Sequence, residues 1–312
     1  MQASSRIFVA GHRGLVGSAV LRALEAKGHK NLLLRTRTEL DLLDQAAVRA
    51  FFTTEKPEIV VLAAAKVGGI HANATAPATF IYENLTIATH VIHSAYQSGV
   101  KKLLNLGSSC IYPKLAPQPL REEHILSGPL EETNRAYAVA KIAAIEMCDH
   151  YRAQYGCDFI SAMPTNLYGP HDNFDLMSSH VVPAMIRKFV EAKESGGSVT
   201  LWGSGQPRRE FLYVEDMADA ALHLLDHFSG PGPLNVGTGV DVTVKELAEL
   251  IAKVVGYSGQ VRWDASKPDG TPRKLMDVSR LTALGFRAKV GLEEGLTRTV
   301  RWYLAQRSVE QR

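Results

Sequence analysis

Along the first half of this chain, short apolar runs alternate with longer stretches of helical period. The runs are Ile7-Phe8-Val9-Ala10, Leu32-Leu33-Leu34, Ile59-Val60-Val61-Leu62-Ala63, Leu103 to Leu106 and Phe159 to Met163. Each has the length of a strand. Between them lie an amphipathic stretch closing at Gly28 and helical stretches from Thr79 to Gln97 and from Tyr137 to Tyr155. Strands that are apolar throughout are buried on both faces. The pattern therefore predicts an α/β fold with a doubly wound parallel sheet of Rossmann type, whose ligand crevice opens at the carboxyl ends of the strands. Gly11, Gly107 and Pro164 mark such ends. After Pro164-Thr-Asn-Leu-Tyr-Gly-Pro170 the texture changes, with glycine, proline and polar residues running through Ser179 and less regular pieces beyond. We expect residues 1–170 to form a cofactor domain and residues 171–312 a smaller mixed α/β C-terminal lobe for substrate, with a segment near 209–237 returning to the first domain. Thr243-Val-Lys-Glu246 before Leu247, Leu250 and Ile251 reads as a capping box opening a helix.

The first strand runs directly into Gly11-His12-Arg13-Gly14-Leu15-Val16-Gly17 and then a helix. Glycines in such a turn let the backbone approach a pyrophosphate, whose charge the helix N-terminus favours, so a dinucleotide is expected there. The second strand ends in Arg35-Thr36-Arg37, where an NAD-binding unit usually carries an acid for the ribose hydroxyl. A planar guanidinium suits a 2′-phosphate instead. Arg37, with Arg13 as a second fork, points to NADP(H); the alternative reading is a pair of solvated loop arginines.

Ser108-Ser109-Cys110 follows the apolar run that ends at Gly107, and Tyr137-Ala-Val-Ala-Lys141 lies downstream. Tyr and Lys four apart share a helix face, so the ammonium is expected to lower the phenol's pKa and make it a better proton shuttle, the chemistry of carbonyl reduction. A packed helix pair is the plainer alternative. Cys110 has no task in simple reduction. It is either a buried small hydrophobe or the sign of a second reaction.

Composition narrows the classes further. With 312 residues, 46% of them hydrophobic and 21% charged, the chain can bury a large core and divide into roughly two lobes. A net charge of +3 and the lack of a Lys/Arg block argue against a nucleic-acid partner, and no apolar stretch is long enough for a membrane. Three cysteines, Cys110, Cys148 and Cys157, lack metal-ligand spacing, so neither a metal site nor a disulfide framework is expected. A fold that begins at residue 6 leaves no room for a leader peptide, which makes the cytoplasm the expected compartment. On that view the sequons Asn73-Ala-Thr75 and Asn84-Leu-Thr86 carry no meaning.

Gly11-x-x-Gly14-x-x-Gly17, Ser108, Tyr137 and Lys141 together resemble the extended short-chain dehydrogenase/reductase family, most of whose members modify nucleotide sugars. Longer strings sharpen the likeness: Gly11-His-Arg-Gly14, Ala65-Lys-Val-Gly-Gly-Ile70, Gly107-Ser-Ser-Cys-Ile-Tyr-Pro113, Pro164-Thr-Asn-Leu-Tyr-Gly-Pro-His-Asp-Asn173 and Lys267-Pro-Asp-Gly-Thr-Pro-Arg273. They are similar to those of family members that invert C3 and C5 and then reduce C4 of a GDP-linked 4-keto-6-deoxy sugar. The resemblance implies that Tyr137 and Ser108 hold the C4 oxygen, that Cys110 is the base and His180 the opposite acid of epimerisation, and that Lys141 also holds the nicotinamide ribose. It extends the cofactor site to Pro164, Thr165, Asn166, Leu167 and His180. Lys188, Trp202, Arg209 and Asp269 match its substrate-binding positions, although Trp202 reads equally as a core aromatic ending the Val199-Thr-Leu strand, and His180 as a helix-start residue. A GDP-sugar substrate follows, and a homodimer built on the Thr79–Gln97 and Tyr137–Tyr155 helices.

Two alternatives bear on the same residues. A related sugar 4,6-dehydratase carries an acid beside the active-site hydroxyl, where this chain has Ser109-Cys110. A non-catalytic NADP-binding protein has no need to keep Ser108, Tyr137 and Lys141 together.

Overall fold

The computed structural model describes residues 1–267 and 269–310. In chain order the elements are β1 Ile7–Ala10, α1 Leu15–Ala26, β2 Leu32–Leu33, α2 Gln45–Glu55, β3 Ile59–Leu62, α3 Ile70–Thr75, α4 Pro77–Gln97, β4 Lys102–Leu106, α5 Arg135–Tyr155 and β5 Phe159–Pro164. There follow β6 Asn166–Tyr168, α6 Val181–Ser195, β7 Val199–Trp202, β8 Arg208–Tyr213, α7 Val214–His227, β9 Pro233–Val236, β10 Asp241–Thr243, α8 Val244–Val255, β11 Val261–Asp264, β12 Arg273–Lys274, α9 Ser279–Ala283 and α10 Leu292–Glu310.

Six parallel strands form the central sheet in the order β2-β1-β3-β4-β5-β9. Its pleat explains the apolar runs. Ile7, Val9, Val61, Leu104 and Ile160 point to one face, where they pack with residues of α1 and α7. Phe8, Ala10, Val60, Leu103 and Phe159 point to the other, against α2, α4 and α5. Alternate side chains thus enter two separate cores, and the buried polar pair Asn105 and Ser161 on β4 and β5 is accommodated by its mutual hydrogen bond at 3.2 Å. The strand order reverses between β1 and β3, with β2 added on one side and β4 on the other, which puts the crevice beyond Gly11 and Ala63. Helix α1 ends as the sequence suggests, with Gly28 at φ 82°.

The chain leaves the sheet after β5 and comes back: α7 packs on α1, and β9 adds to the edge of β5. Most other elements past residue 165 build a second core, while Leu281 of α9 joins the first. Helices α6, α8 and α10 bury Ile186, Phe189, Leu247, Ile251, Leu296 and Val300 with Val199, Leu201 and Phe211 of the small sheets. There β8 pairs with β6 and β12 in parallel and with β10 antiparallel, while β7 pairs with β11. The capping box at α8 forms: Thr243 Oγ1 accepts from the Glu246 amide at 3.0 Å, and the Glu246 carboxylate accepts from the Thr243 amide at 2.7 Å. No helix among the described residues is long and apolar enough to cross a membrane. Both sequon asparagines are buried, Asn73 and Asn84 each being 6% exposed, so neither can carry a glycan in this fold.

Candidate active site

The turn after β1 is built for close approach. Gly11 sits at φ 86°, and a Cβ there would lie 2.7 Å from the Ala64 nitrogen. A Cβ on Gly17 would lie 2.1 Å from the Gly11 carbonyl oxygen, so the helix can start this near the strand only without side chains at either position. No side chain caps α1 and no acid sits in its first turn, leaving the first-turn amides to an anion. Buried beside them, the His12 Nδ1 has no hydrogen-bond partner, and burial, aided by Arg13, holds the ring's pKa below the ordinary histidine value. A polar nitrogen left open in a cradle with no room for a side chain fits a bound dinucleotide.

The arginines after β2 divide their work. Arg35 is committed to the protein: it donates to Glu55 at 2.5 Å and to the Leu34 carbonyl at 2.8 Å, and its guanidinium lies over the Phe51 ring. Arg37 is 68% exposed and lies 3.9 Å from Asp41, its one ion-pair neighbour among the described residues, and Arg13 is exposed on the glycine turn. Those two remain free for a phosphate.

At the end of β4 the chain turns sharply, because a Cβ on Gly107 would strike the Met163 side chain at 2.1 Å. Ser108 is extended and its hydroxyl accepts from the Cys110 amide at 3.4 Å, starting a single 3-10 turn from Ser109 to Ile111 that buries the Cys110 thiol. From α5, the Lys141 ammonium donates to the Leu106 carbonyl at 2.7 Å and lies 5.7 Å from the centre of the Tyr137 ring. Phe80 meets that ring edge-on. Ser108, Cys110, Tyr137 and Lys141 thus form one cluster at the carboxyl end of β4.

Its electrostatics differ from the expectation for Tyr137. Burial pushes the phenol's pKa up, the Cys110 charge adds to the rise, and only Ser108 opposes. Lys141 brings no lowering to set against this desolvation, so Tyr137 stays protonated and is a proton donor rather than an easily ionised shuttle. Burial also brings the Lys141 ammonium down to about 8. The Cys110 thiol is pushed up by burial, against the pull of Lys274 first, then Ser108 and Lys141.

Pro164 to Leu167 cross from β5 to β6. Here the side chains face the protein: Thr165 and Asn166 both donate to the Glu210 carbonyl, at 3.2 and 2.8 Å. Only the backbone of this segment is left for a ligand.

His180 stands at the residue before α6, makes no side-chain cap, and is open to water within an enclosing cleft that lowers its pKa. It forms no hydrogen bond with the Ser108 cluster among the described residues. The Ala65–Ile70 string reaches this segment, because Gly69 donates to the Ser178 carbonyl at 3.0 Å and a Cβ on Gly69 would meet the Ser179 oxygen at 2.7 Å. Lys188 lies two turns further along α6, roughly 12 Å from His180 along the axis. Its ammonium is 6.0 Å from the centre of the Trp202 ring and donates to the Thr200 carbonyl at 3.0 Å. Trp202 is 59% exposed, which removes the core-aromatic reading. Asp269 accepts from the amide and hydroxyl of Ser204, each at 2.7 Å, and its carbonyl accepts from Arg209 at 3.4 Å. The Asp269 carboxylate is therefore engaged in shaping the Ser204 loop. Pro268, in the string beside it, lies outside the described residues.

Sequence reasoning missed two lysines. Lys267 covers the Trp202 ring, 5.5 Å from its centre, making a second ammonium there. Lys274 neighbours Arg209 across the β12–β8 pairing, while Arg273 neighbours Arg208. The pleat sends Arg208 and Arg273 to one face, where both bind Asp241, and Arg209 and Lys274 to the other. The signal was the two-residue alternation in Arg208-Arg209 and Arg273-Lys274, readable only once the strands are known to pair.

The sequence pattern of the NAD dependent epimerase/dehydratase family matches residues 7–237. Putative GDP-L-fucose synthase 2 of Arabidopsis thaliana is 61% identical over 305 residues, covering 97% of this chain and 93% of that protein. GDP-L-fucose synthase of Escherichia coli (strain K12) is 57% identical over 309 residues, 96% of each. Among solved structures, a GDP-L-fucose synthetase from Naegleria fowleri bound to NADP superposes with a TM-score of 0.91 at 27% identity, covering 99% of this chain and 96% of that one. With the glycine cradle, the Ser108 cluster and a match over most of its length, the chain belongs to the NAD dependent epimerase/dehydratase family.

Proposed function

We infer that the protein epimerises GDP-4-keto-6-deoxy-D-mannose at C3 and C5 and reduces it at C4 with NADPH, giving GDP-L-fucose. The observation that carries the reading is Cys110 placed in the same cluster as Ser108, Tyr137 and Lys141, since simple reduction needs no thiol. Relatives at 57–61% identity bear the corresponding name.

A C4 ketone acidifies the hydrogens on both neighbouring carbons, so one set of donors to the C4 oxygen stabilises the enolate for inversion at either position. Ser108 and Tyr137 are those donors. Cys110 removes the hydrogen and His180 supplies a proton to the opposite face. In the final step Tyr137, kept protonated by burial, gives its proton to the C4 oxygen, and Lys141 holds the positive charge beside it. NADPH, when bound in the Gly11–Gly17 cradle with Arg13 and Arg37 at its 2′-phosphate and the Pro164–Leu167 backbone and His180 at its nicotinamide end, supplies the hydride. Lys188, Lys267 and Arg209 face the substrate diphosphate, and the exposed Trp202 ring offers a surface for its base or sugar.

We also propose that residues 1–170 with the return segment near 209–237 hold the cofactor, that residues 171–312 hold the sugar nucleotide, and that the enzyme is a cytoplasmic homodimer. Support for the dimer comes from α4 and α5, which pack side by side and carry the stacked Tyr96 and Tyr155, centroids 4.3 Å apart. The test of the reaction uses the 4-keto substrate in deuterated buffer without NADPH. Wild type should take deuterium into C3 and C5 with inversion, Cys110→Ala should take up none, and His180→Gln should exchange without inverting. Undiminished exchange with inversion in the Cys110 variant defeats the mechanism.

A further inference from the structure

We propose that Lys274 is the counter-ion that carries Cys110 into its thiolate form, which makes it the residue that positions charge for the epimerisation base. The inference rests on the proposed role of Cys110, and geometry supports it. Lys274 and Cys110 line one small cavity of about 10 Å³, which has Glu131, Lys114 and Arg273 on its other walls and has barely room for one water. Lys274 enters it from β12, held in register by Arg209 at its flank and by the Met276 amide, which donates to the buried Glu210 carboxylate at 2.8 Å.

The surrounding charges leave this pairing open. Arg273 is occupied by Asp241. The Glu131 carboxylate accepts from the amide and hydroxyl of Thr133 and reaches Lys274 only as a weaker influence than Cys110 and Arg209. Lys141 is tied to the Leu106 carbonyl. Tyr137, on the α5 side, stays neutral. Among the described residues the Lys274 ammonium has no hydrogen bond and no carboxylate within ion-pair distance. A half-buried ammonium without an anion, set against a buried thiol without a cation of its own, gains most when the thiol loses its proton to solvent and the two form a pair. Of the charged groups acting on Cys110, Lys274 acts most strongly, ahead of Lys141.

The experiment needs no substrate. Iodoacetamide alkylation of Cys110 is timed from neutral to alkaline pH by peptide mass spectrometry, with Cys148 and Cys157 in the same digest as internal references. In Lys274→Met the Cys110 profile should move up by at least ~1 pH unit, as expected when a neighbouring opposite charge is lost. At fixed pH that is a rate drop of about tenfold or more. Lys274→Arg should restore the wild-type profile. A merely structural loss would loosen the cavity and speed the reaction. An unmoved profile in the Met variant overturns the proposal, as does an Arg variant that fails to restore it. If the Met variant does not fold, Lys274→Arg decides alone: its permanent charge must hold the profile at or below that of wild type, and a rise overturns the proposal. Failure of the function reading would show instead as a wild-type enzyme that leaves the 4-keto substrate unexchanged, whatever the thiol profile.

Discussion

Gly17→Ala and Gly14→Ala separate the two uses of glycine in the turn after β1. At Gly17 the new methyl would sit 2.1 Å from the Gly11 carbonyl oxygen, 2.6 Å from its carbon and 2.9 Å from the His12 Cα, all backbone atoms. Ordinary contact begins at 3.4 Å, so strand and helix must part by about 1.3 Å, and no side chain can rotate away to spare them. A displacement of that size takes the first-turn amides out of reach of a pyrophosphate. Losing two charge-assisted hydrogen bonds at about 1.5–3 kcal/mol each weakens NADPH by roughly a hundredfold to ten-thousandfold. Gly14 is different: its φ is −79° and its Cβ would lie 3.5 Å from the nearest atom, so alanine fits the empty turn. Gly14→Ala should keep the wild-type melting temperature and lose NADPH affinity only through a clash with the ligand, whereas Gly17→Ala should lose both stability and affinity. NADPH fluorescence titration beside thermal melts reads out the pair. A Gly17→Ala protein with wild-type melting and affinity would refute the packing argument.

Replacing Arg13 and Arg37 together with Ala should cost several kcal/mol of NADPH affinity while leaving NADH nearly unchanged; equal losses for the two cofactors would remove the 2′-phosphate assignment. Arg35→Ala should instead lower the melting temperature, because that guanidinium is bound to Glu55 and Phe51. Tyr137→Phe should bind NADPH normally and reduce roughly a hundredfold more slowly or worse, and a near wild-type rate would mean that another group protonates C4. Lys141, brought down from 10.5 to about 8, is an ammonium below that pH and loses its charge as pH rises through it. The reductive rate should therefore fall on the alkaline side of about 8, and a rate that stays flat across that pH would show that the charge is not needed.

The parts of this enzyme that were legible in the sequence are those in which one residue's surroundings are set by its near neighbours in the chain. The strands β1, β3, β4 and β5 announced themselves because burial on both faces makes their positions mostly apolar over four to six residues, with Asn105 and Ser161 the buried polar exceptions. The need for glycine at position 17 was equally local, since a Cβ there would strike Gly11 six residues back. The short β2 was read one residue too long: Leu34 leaves the ladder as its carbonyl turns to accept from Arg35. What could not be read is whatever depends on strands that meet only after folding. Glu210 is the example. In the sequence it is an acid after two arginines, with nothing to distinguish it. In the fold it is wholly buried, and its carboxylate accepts from the amides of Thr238, Gly239 and Met276 at 2.5, 2.8 and 2.8 Å. Its carbonyl holds Thr165 and Asn166. Burial raises its pKa while those amides pull it down, which is the balance expected of a carboxylate used as a fastener rather than as an acid. One residue thus ties the segment after β5, the end of β9 and the stretch following Lys274 to the strand bearing Arg209. The relative placement of these segments is fixed there, at a position whose neighbours lie 28 to 66 residues away in the chain.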